Sequence, residues 1–228
     1  MSALRRVMIM AEMHGRDLIR RRVALALLVA LPLSFYLVSV GTGDRAILAG
    51  GVGMAFAVSG ATLFSVLSSA EVDQRLVLSG YRPLDLLLGR VLFLGPLGLA
   101  ISVLFSSVMV LGSDPARPWL TFIGVGAVAL VSIPFGLAVG SAVPRELEGT
   151  LVLIGVVGVQ MAVEAGSTVS RVLPFHGPQE IIASSMTADG QIAWPLAATL
   201  LYGAALMVLA RSFSTGRVGV TLHGSTPV

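Results

Sequence analysis

The chain has 228 residues, of which 55% are hydrophobic and 12% charged, and a mean hydropathy of +0.91; soluble domains carry about 25% charged residues, so this composition excludes one. Its net charge of +3 and pI near 10.2 do not imply nucleic acid, because the arginines lie in short segments beside apolar stretches, where membrane topology and anionic lipid account for them. Absence of cysteine excludes disulfides, thiolate metal sites and a cysteine nucleophile.

Residues 2–19 alternate arginines with Leu4, Val7, Met8, Ala11, Leu18 and Ile19. That spacing predicts an amphipathic N-terminal helix along the inner membrane surface, or a charged leader that only fixes topology. Six apolar stretches follow, at about 23–40, 46–68, 86–112, 119–143, 150–166 and 192–210. At about 1.5 Å of rise per residue each covers most or all of a hydrocarbon core about 30 Å thick. Six crossings put both ends on one side. That side takes Arg5, Arg6, Arg16, Arg20, Arg21, Arg22, Arg75, Arg82, Arg90, Arg145, Arg211 and Arg217, and the other only Arg45, Arg117 and Arg171. The positive-inside rule therefore places both termini in the cytoplasm. The first stretch follows three arginines and lacks a convincing small-residue cleavage site, so it is expected to be retained.

The expected fold is all-α: one polytopic transmembrane domain over 1–228, with an amphipathic segment at 1–22, a six-helix bundle at 23–210 and a cytoplasmic tail at 211–228. Pro32, Pro96 and Pro134 fall within spans, where each removes a backbone hydrogen bond and can kink its helix. Glycines gather in the second span (Gly50, Gly51, Gly53, Gly60), the fourth (Gly136, Gly140) and the fifth (Gly155, Gly158). The Gly136/Gly140 spacing permits close helix approach, within the chain or between subunits. Trp119 and Trp194 open the fourth and sixth spans at headgroup depth on the outer side.

Between the second and third spans the sequence runs from Ser69 through Glu71, Asp73 and Arg75 to apolar Leu76, Val77 and Leu78, then Ser79, Gly80, Tyr81, Arg82 and Pro83. Ser79-Gly80 is expected to end a short helix and Pro83 to start the next. The result is a charged helical hairpin on the inner side, able to transmit a push as a unit, or a solvated connection. A second inner loop contains Arg145, Glu146 and Glu148, either a further contact for the same partner or a tight turn. Gln160 and Glu164 share a face of the fifth span. They form a polar stripe toward a pathway, or Glu164 sits near the interface and pairs with Arg171. Residues 167–190, including Pro174, Phe175 and Glu180, are too polar to span, yet apolar enough at 172–175 and 181–183 to touch the membrane.

From Glu71 to Arg90, the acidic start, the leucine-rich middle, Ser79-Gly80-Tyr81-Arg82-Pro83 and Leu86-Leu87-Leu88-Gly89-Arg90 resemble the loop between the second and third helices of ABC-2 type transporter permeases. The likeness covers about twenty residues in motif and nearly the whole chain in layout. Glu71-Val72-Asp73-Gln74 stands where the family often has a Glu-Gly-Thr-rich opening. The resemblance implies that this hairpin is a coupling helix docking on a separate ABC ATPase, with contacts at Glu71, Asp73, Arg75, Gly80, Arg82 and Pro83. It also implies short re-entrant helices between spans five and six, an outer gate at residues 167–190 that contains Pro174, Phe175 and Glu180, beyond the pathway stripe of Gln160 and Glu164. The implied protein is the permease subunit of an ATP-driven exporter in a bacterial inner or plasma membrane, a homodimer or a heterodimer with a second permease. ATP and Mg would be bound by the ATPase and no cofactor by this chain. Few ionisable groups in the spans point to an amphipathic, lipid-like or drug-like cargo.

No lysine is present, so a GxxxxGK[ST] phosphate loop is impossible. HExxH and GxSxG patterns are absent as well, and His14, His176 and His223 form no metal-ligand spacing. The chain is read as a transport subunit and not as an enzyme. The alternatives are a secondary transporter or channel using Gln160 and Glu164, or a nontransporting scaffold or immunity protein that tolerates substitution in 71–83.

Overall fold

The computed structural model describes residues 3–20, 22–43, 45–143, 145–163, 167–187 and 191–223, and all regular structure among them is helical. In chain order the helices are α1 (Ala3–Arg20), α2 (Arg22–Ser39), α3 (Arg45–Ser68), α4 (Ala70–Leu78), α5 (Pro83–Ser113), α6 (Pro118–Ala142), α7 (Glu146–Ala162), α8 (Thr168–Val172), α9 (His176–Met186) and α10 (Ala193–His223). Pro83 and Pro118 occupy the first turns of α5 and α6, where a missing N–H costs nothing. Pro32, Pro96 and Pro134 lie inside continuous helices.

Four of these helices are long and apolar enough to cross a membrane: Arg45–Ser68, Pro83–Ser113, Pro118–Ala142 and Ala193–Thr215. The expected first crossing contains the shorter apolar helix Leu25–Ser39. The expected fifth lies in α7, 17 residues long with Glu146 and Glu148 in its first turn. Charge at the start of α7 and arginine at the start of α2 shorten their apolar lengths.

Helix α6 is apolar on every side and buried along nearly its whole length. Helices α3, α5, α7, α9 and α10 all pack on it, which is how a helix hydrophobic all round comes to be central. In lipid no hydrophobic drive separates helix from tail, so close packing must hold the bundle. The Gly136/Gly140 pair supplies it within the chain. A Cβ on Gly136 would lie 2.4 Å from the Ser59 carbonyl oxygen, and one on Gly140 3.0 Å from Val66 Cβ. Both contacts are to α3. The buried hydroxyls of Thr62 and Ser132 donate to Val58 O and Val128 O, each at 2.7 Å, and so satisfy themselves within their own helices.

The N-terminal segment is a helix, as its periodicity predicts, and it docks on α5. Met10 is buried, and a Cβ on Gly89 would fall 2.5 Å from Met10 Cβ; Gly15 faces the Phe93 ring in the same way. Leu4, Met8, Met13 and Ile19 stay exposed, leaving α1 a second apolar surface. Two expected boundaries move. The tail expected from residue 211 continues α10 as helix to His223. The expected loop of Arg145, Glu146 and Glu148 is instead the N-cap and first turn of α7, where the two acids suit the helix dipole.

Candidate functional site

The hairpin forms where the sequence places it. Helix α4 closes with a Schellman arrangement: Tyr81 N–H donates to Leu76 O and Gly80 N–H to Val77 O, both at 3.0 Å. Gly80 carries the reversal at φ +93°, a backbone region that L side chains rarely adopt. Asp85, three residues into α5, then accepts from Arg82 N–H at 3.4 Å. Arg6 of α1 approaches the same carboxylate oxygen at 3.1 Å. An ion pair therefore fastens the N-terminal helix to the start of α5.

None of the residues of α4 is buried. Glu71, Arg75, Gly80 and Arg82 are exposed and Pro83 half-buried, so these sequence-predicted residues share an accessible hairpin. Asp73 is placed differently. Its carboxylate turns inward to Arg90 of α5, at 2.5 Å, and the same Arg90 nitrogen also donates to Ser69 Oγ. Burial raises the Asp73 carboxyl above the ordinary 3.8, against the lowering effect of the Arg90 charge and of hydrogen bonds from Arg90 and Ser69. A carboxyl raised in the folded state contributes stability that is complete below the unfolded value and is lost as pH rises through the folded one. Ionising Asp73 therefore opposes folding, as is common for buried pairs.

Two apolar surface residues of the hairpin, Val72 and Leu78, were not among the sequence candidates; Leu78 is 73% exposed. The signal for them was present. On a nine-residue helix with no buried member, an apolar side chain flanked by charges has no interior to enter.

Arg145 and Glu148 pair at 3.1 Å and are exposed, with Glu146 beside them. Glu146 also edges a cavity of about 340 Å³ between α1, α2, α3 and α5, whose walls include Leu28, Leu31, Phe56 and Phe93 and whose polar end carries His14 and Ser68. A second cavity, of about 250 Å³, lies under α4 against α5, α6 and α10.

Farther along the chain, Gln160 is 1% exposed, and its Nε2 donates to Gln179 Oε1 of α9 at 2.9 Å. The structure therefore places Gln160 in a helix-to-helix contact. Glu164 lies outside the described residues. Pro174 and Phe175 are buried, and Phe175 meets Phe135 of α6 edge to face, with ring centroids 5.6 Å apart. Glu180 is half-buried at 3.2 Å from His176 Nε2. His176 Nδ1 lies 3.0 Å from Ser170 Oγ, which links α8 to α9. Among the described residues no group of three or more His, Cys, Asp or Glu side chains is arranged to hold a metal ion.

An all-helical chain with four long apolar helices and a charged hairpin between the first two of them is a multi-pass membrane protein. Residues 45–211 match the family described as ABC-2 family transporter protein, and the chain belongs to that family. It is therefore a membrane-spanning ABC transporter permease, of a family whose members normally work with an ABC ATPase. The match begins at α3 and contains the whole hairpin. No curated protein matches the chain.

Proposed function

We propose that this chain is the permease subunit of an exporter, with six crossings and both termini in the cytoplasm, driven by a separate ABC ATPase that docks on α4. The observation that carries this reading is α4 itself, nine residues with no buried member, held between two long apolar helices. Glu71, Arg75 and Arg82 around exposed Leu78 make a mixed charged and apolar face, the composition of a docking surface. The ATPase supplies ATP and Mg, and this chain binds no cofactor. Arg145, Glu146 and Glu148 form a secondary contact. The assembly sits in a bacterial inner or plasma membrane as a homodimer or with a related permease. The open space beside Gly155 and Gly158 on the exposed side of α7 supports a subunit contact there. The alternative of a secondary transporter centred on Gln160 loses support from its engagement with Gln179.

Affinity purification of the tagged full chain in mild detergent tests the docking. An ABC ATPase is expected in stoichiometric amount. The combination Gly80→Trp and Arg82→Glu, which breaks the positive-φ turn and reverses an exposed charge, should leave membrane insertion intact and abolish that association. A purified chain without an ATPase, or undiminished association of the variant, would overturn the docking assignment.

The cavity edged by Glu146 supports an amphipathic, lipid-like or drug-like cargo, since apolar walls with His14, Ser65 and Ser68 among the lining fit such a molecule. Gly60 lines it, and a Cβ added there meets nothing within 4 Å. Gly60→Trp should therefore fill the cavity without straining the bundle. Stimulation of ATP hydrolysis by a panel of amphiphilic dyes should fall by about tenfold, the loss of about 1.4 kcal/mol of binding, while ATPase association is retained. Equal stimulation of the parent and the variant would place the cargo elsewhere.

A further inference from the structure

Among the described residues α4 packs lightly, chiefly on α3 and α5, its neighbours in the chain. Its attachment to α5 is dominated by one buried cation. Arg90 sits about 10 Å into α5, two turns past Pro83, with its side chain 6% exposed; Asp73 is 21% exposed. One Arg90 nitrogen reaches both Asp73 and Ser69, while Nε is buried without an acceptor among the described residues. On the other side of the pair lies the cavity of about 250 Å³, floored by Leu137 and Ser141 of α6 and edged by Ser214 of α10.

Such an arrangement is poorly explained as a stabilising device. A buried ion pair is frequently no better than an apolar substitute of the same size, and Asp73 is held where ionisation is disfavoured. What the pair supplies is position. Because no residue of α4 is buried, removing the pair would loosen the tilt of α4 beside a cavity of about 250 Å³.

We infer that Arg90 is a positioning residue of the permease, a latch that holds α4 in its docking orientation through Asp73 and Ser69, beside a cavity that gives the side chains of α4 room to shift when the latch opens. This rests on the coupling role proposed for α4. Force on α4 then reaches α5 through this charged contact as well as through the turn at residues 79–82. The Arg6–Asp85 pair, whose carboxylate lies on α5 before Arg90, joins α1 to the same end of α5.

The chain contains no cysteine, so a single spin label at Val72→Cys, an exposed site on α4, reports the mobility of that helix. The label is placed on the full chain, purified with its co-isolated ATPase, in the parent and in the doubly neutralised Asp73→Asn and Arg90→Gln background, which leaves no unpaired charge. The expected result is a shift of the label to a mobile spectrum and a drop of about fivefold or more in permease-dependent ATP hydrolysis, with an unchanged unfolding midpoint. Arg90→Lys, which keeps the charge but replaces the planar guanidinium by a compact ammonium on a different stem, should be intermediate. Equal mobility in parent and double variant, or mobility gained only in step with global unfolding, would overturn the latch. Should the double variant not fold, Arg90→Lys with Ser69→Ala decides by the same readouts. Failure of the coupling reading looks different: the parent brings no ATPase, while the label still shows whether Arg90 holds α4.

Discussion

Gly136→Leu should prevent the bundle from assembling in detergent or membrane. A Cβ at this position would stand 2.4 Å from the Ser59 carbonyl oxygen and 2.7 Å from Thr62 Cβ, and the first of these is backbone that cannot rotate away. To restore an ordinary contact, α3 and α6 would have to part by about an ångström along their shared seam. These two helices carry more buried residues than any other described helix. Overpacking a core commonly costs about 1–3 kcal/mol; with backbone on the receiving side the cost should exceed about 3 kcal/mol. Gly203→Leu is the control, since nothing lies within 4 Å of its added Cβ and surface changes stay within about 0.5 kcal/mol. The measurement is thermal unfolding of the purified full chain, with membrane-inserted yield as the readout where the variant cannot be purified. A Gly136→Leu protein that melts with the parent would show that α3 and α6 do not meet at this glycine.

Much of this seam and of the hairpin could be read beforehand because each depends on local chemistry. A pair of glycines four apart in an apolar run has one principal use in lipid. Ser79-Gly80 followed by Pro83 leaves few other backbone paths, and the structure follows it to the residue, with Gly80 at positive φ and Pro83 opening α5. The helical character of residues 3–20 followed from spacing in the same way.

Other features depend on which side of an apolar helix faces protein, and hydropathy is silent there because lipid and interior look alike to it. Phe175 was therefore readable as membrane-touching but not as buried against Phe135. Gln160 read as a polar residue in a span, without its partner Gln179, nineteen positions away on another helix. Arg90 was counted with the arginines that set topology. Its cue was its position two turns inside a helix, where an unpaired guanidinium would be expensive; a partner of opposite charge on the facing helix was implied. Asp73 was grouped with its exposed neighbours because charge alternates along α4, and only the three-dimensional turn at Ser69 shows that it faces inward. The helical continuation beyond Arg211 escaped because an apolar window ends where charge begins, whereas a helix need not.

The outer segment supplies the other large effect. Phe175 is 1% exposed at the head of α9, and its ring stands at 90° to that of Phe135, a geometry worth about 0.5–1.5 kcal/mol beyond the area it buries. Three further ties hold α9: Gln179 to Gln160, Ser185 O accepting from Arg117 N–H at 2.8 Å, and Gly177 against Pro195 O and Thr199 of α10. Phe175→Ala should cost about 3 kcal/mol, the lower end for such a truncation, because the unfolded side chain would rest in lipid and only packing is lost. Phe175→Leu should cost less, since it leaves a smaller void. The proposed outer gate adds a local requirement: α9 must loosen before the bundle does. A cysteine at buried Ile181 of α9 should accordingly react faster with a water-soluble thiol reagent in the Phe175→Ala background, at temperatures where a cysteine at buried Met54 of α3 stays protected. If both sites lose protection together, α9 opens only with the whole bundle, and Phe175 is a core residue with no separate part in gating.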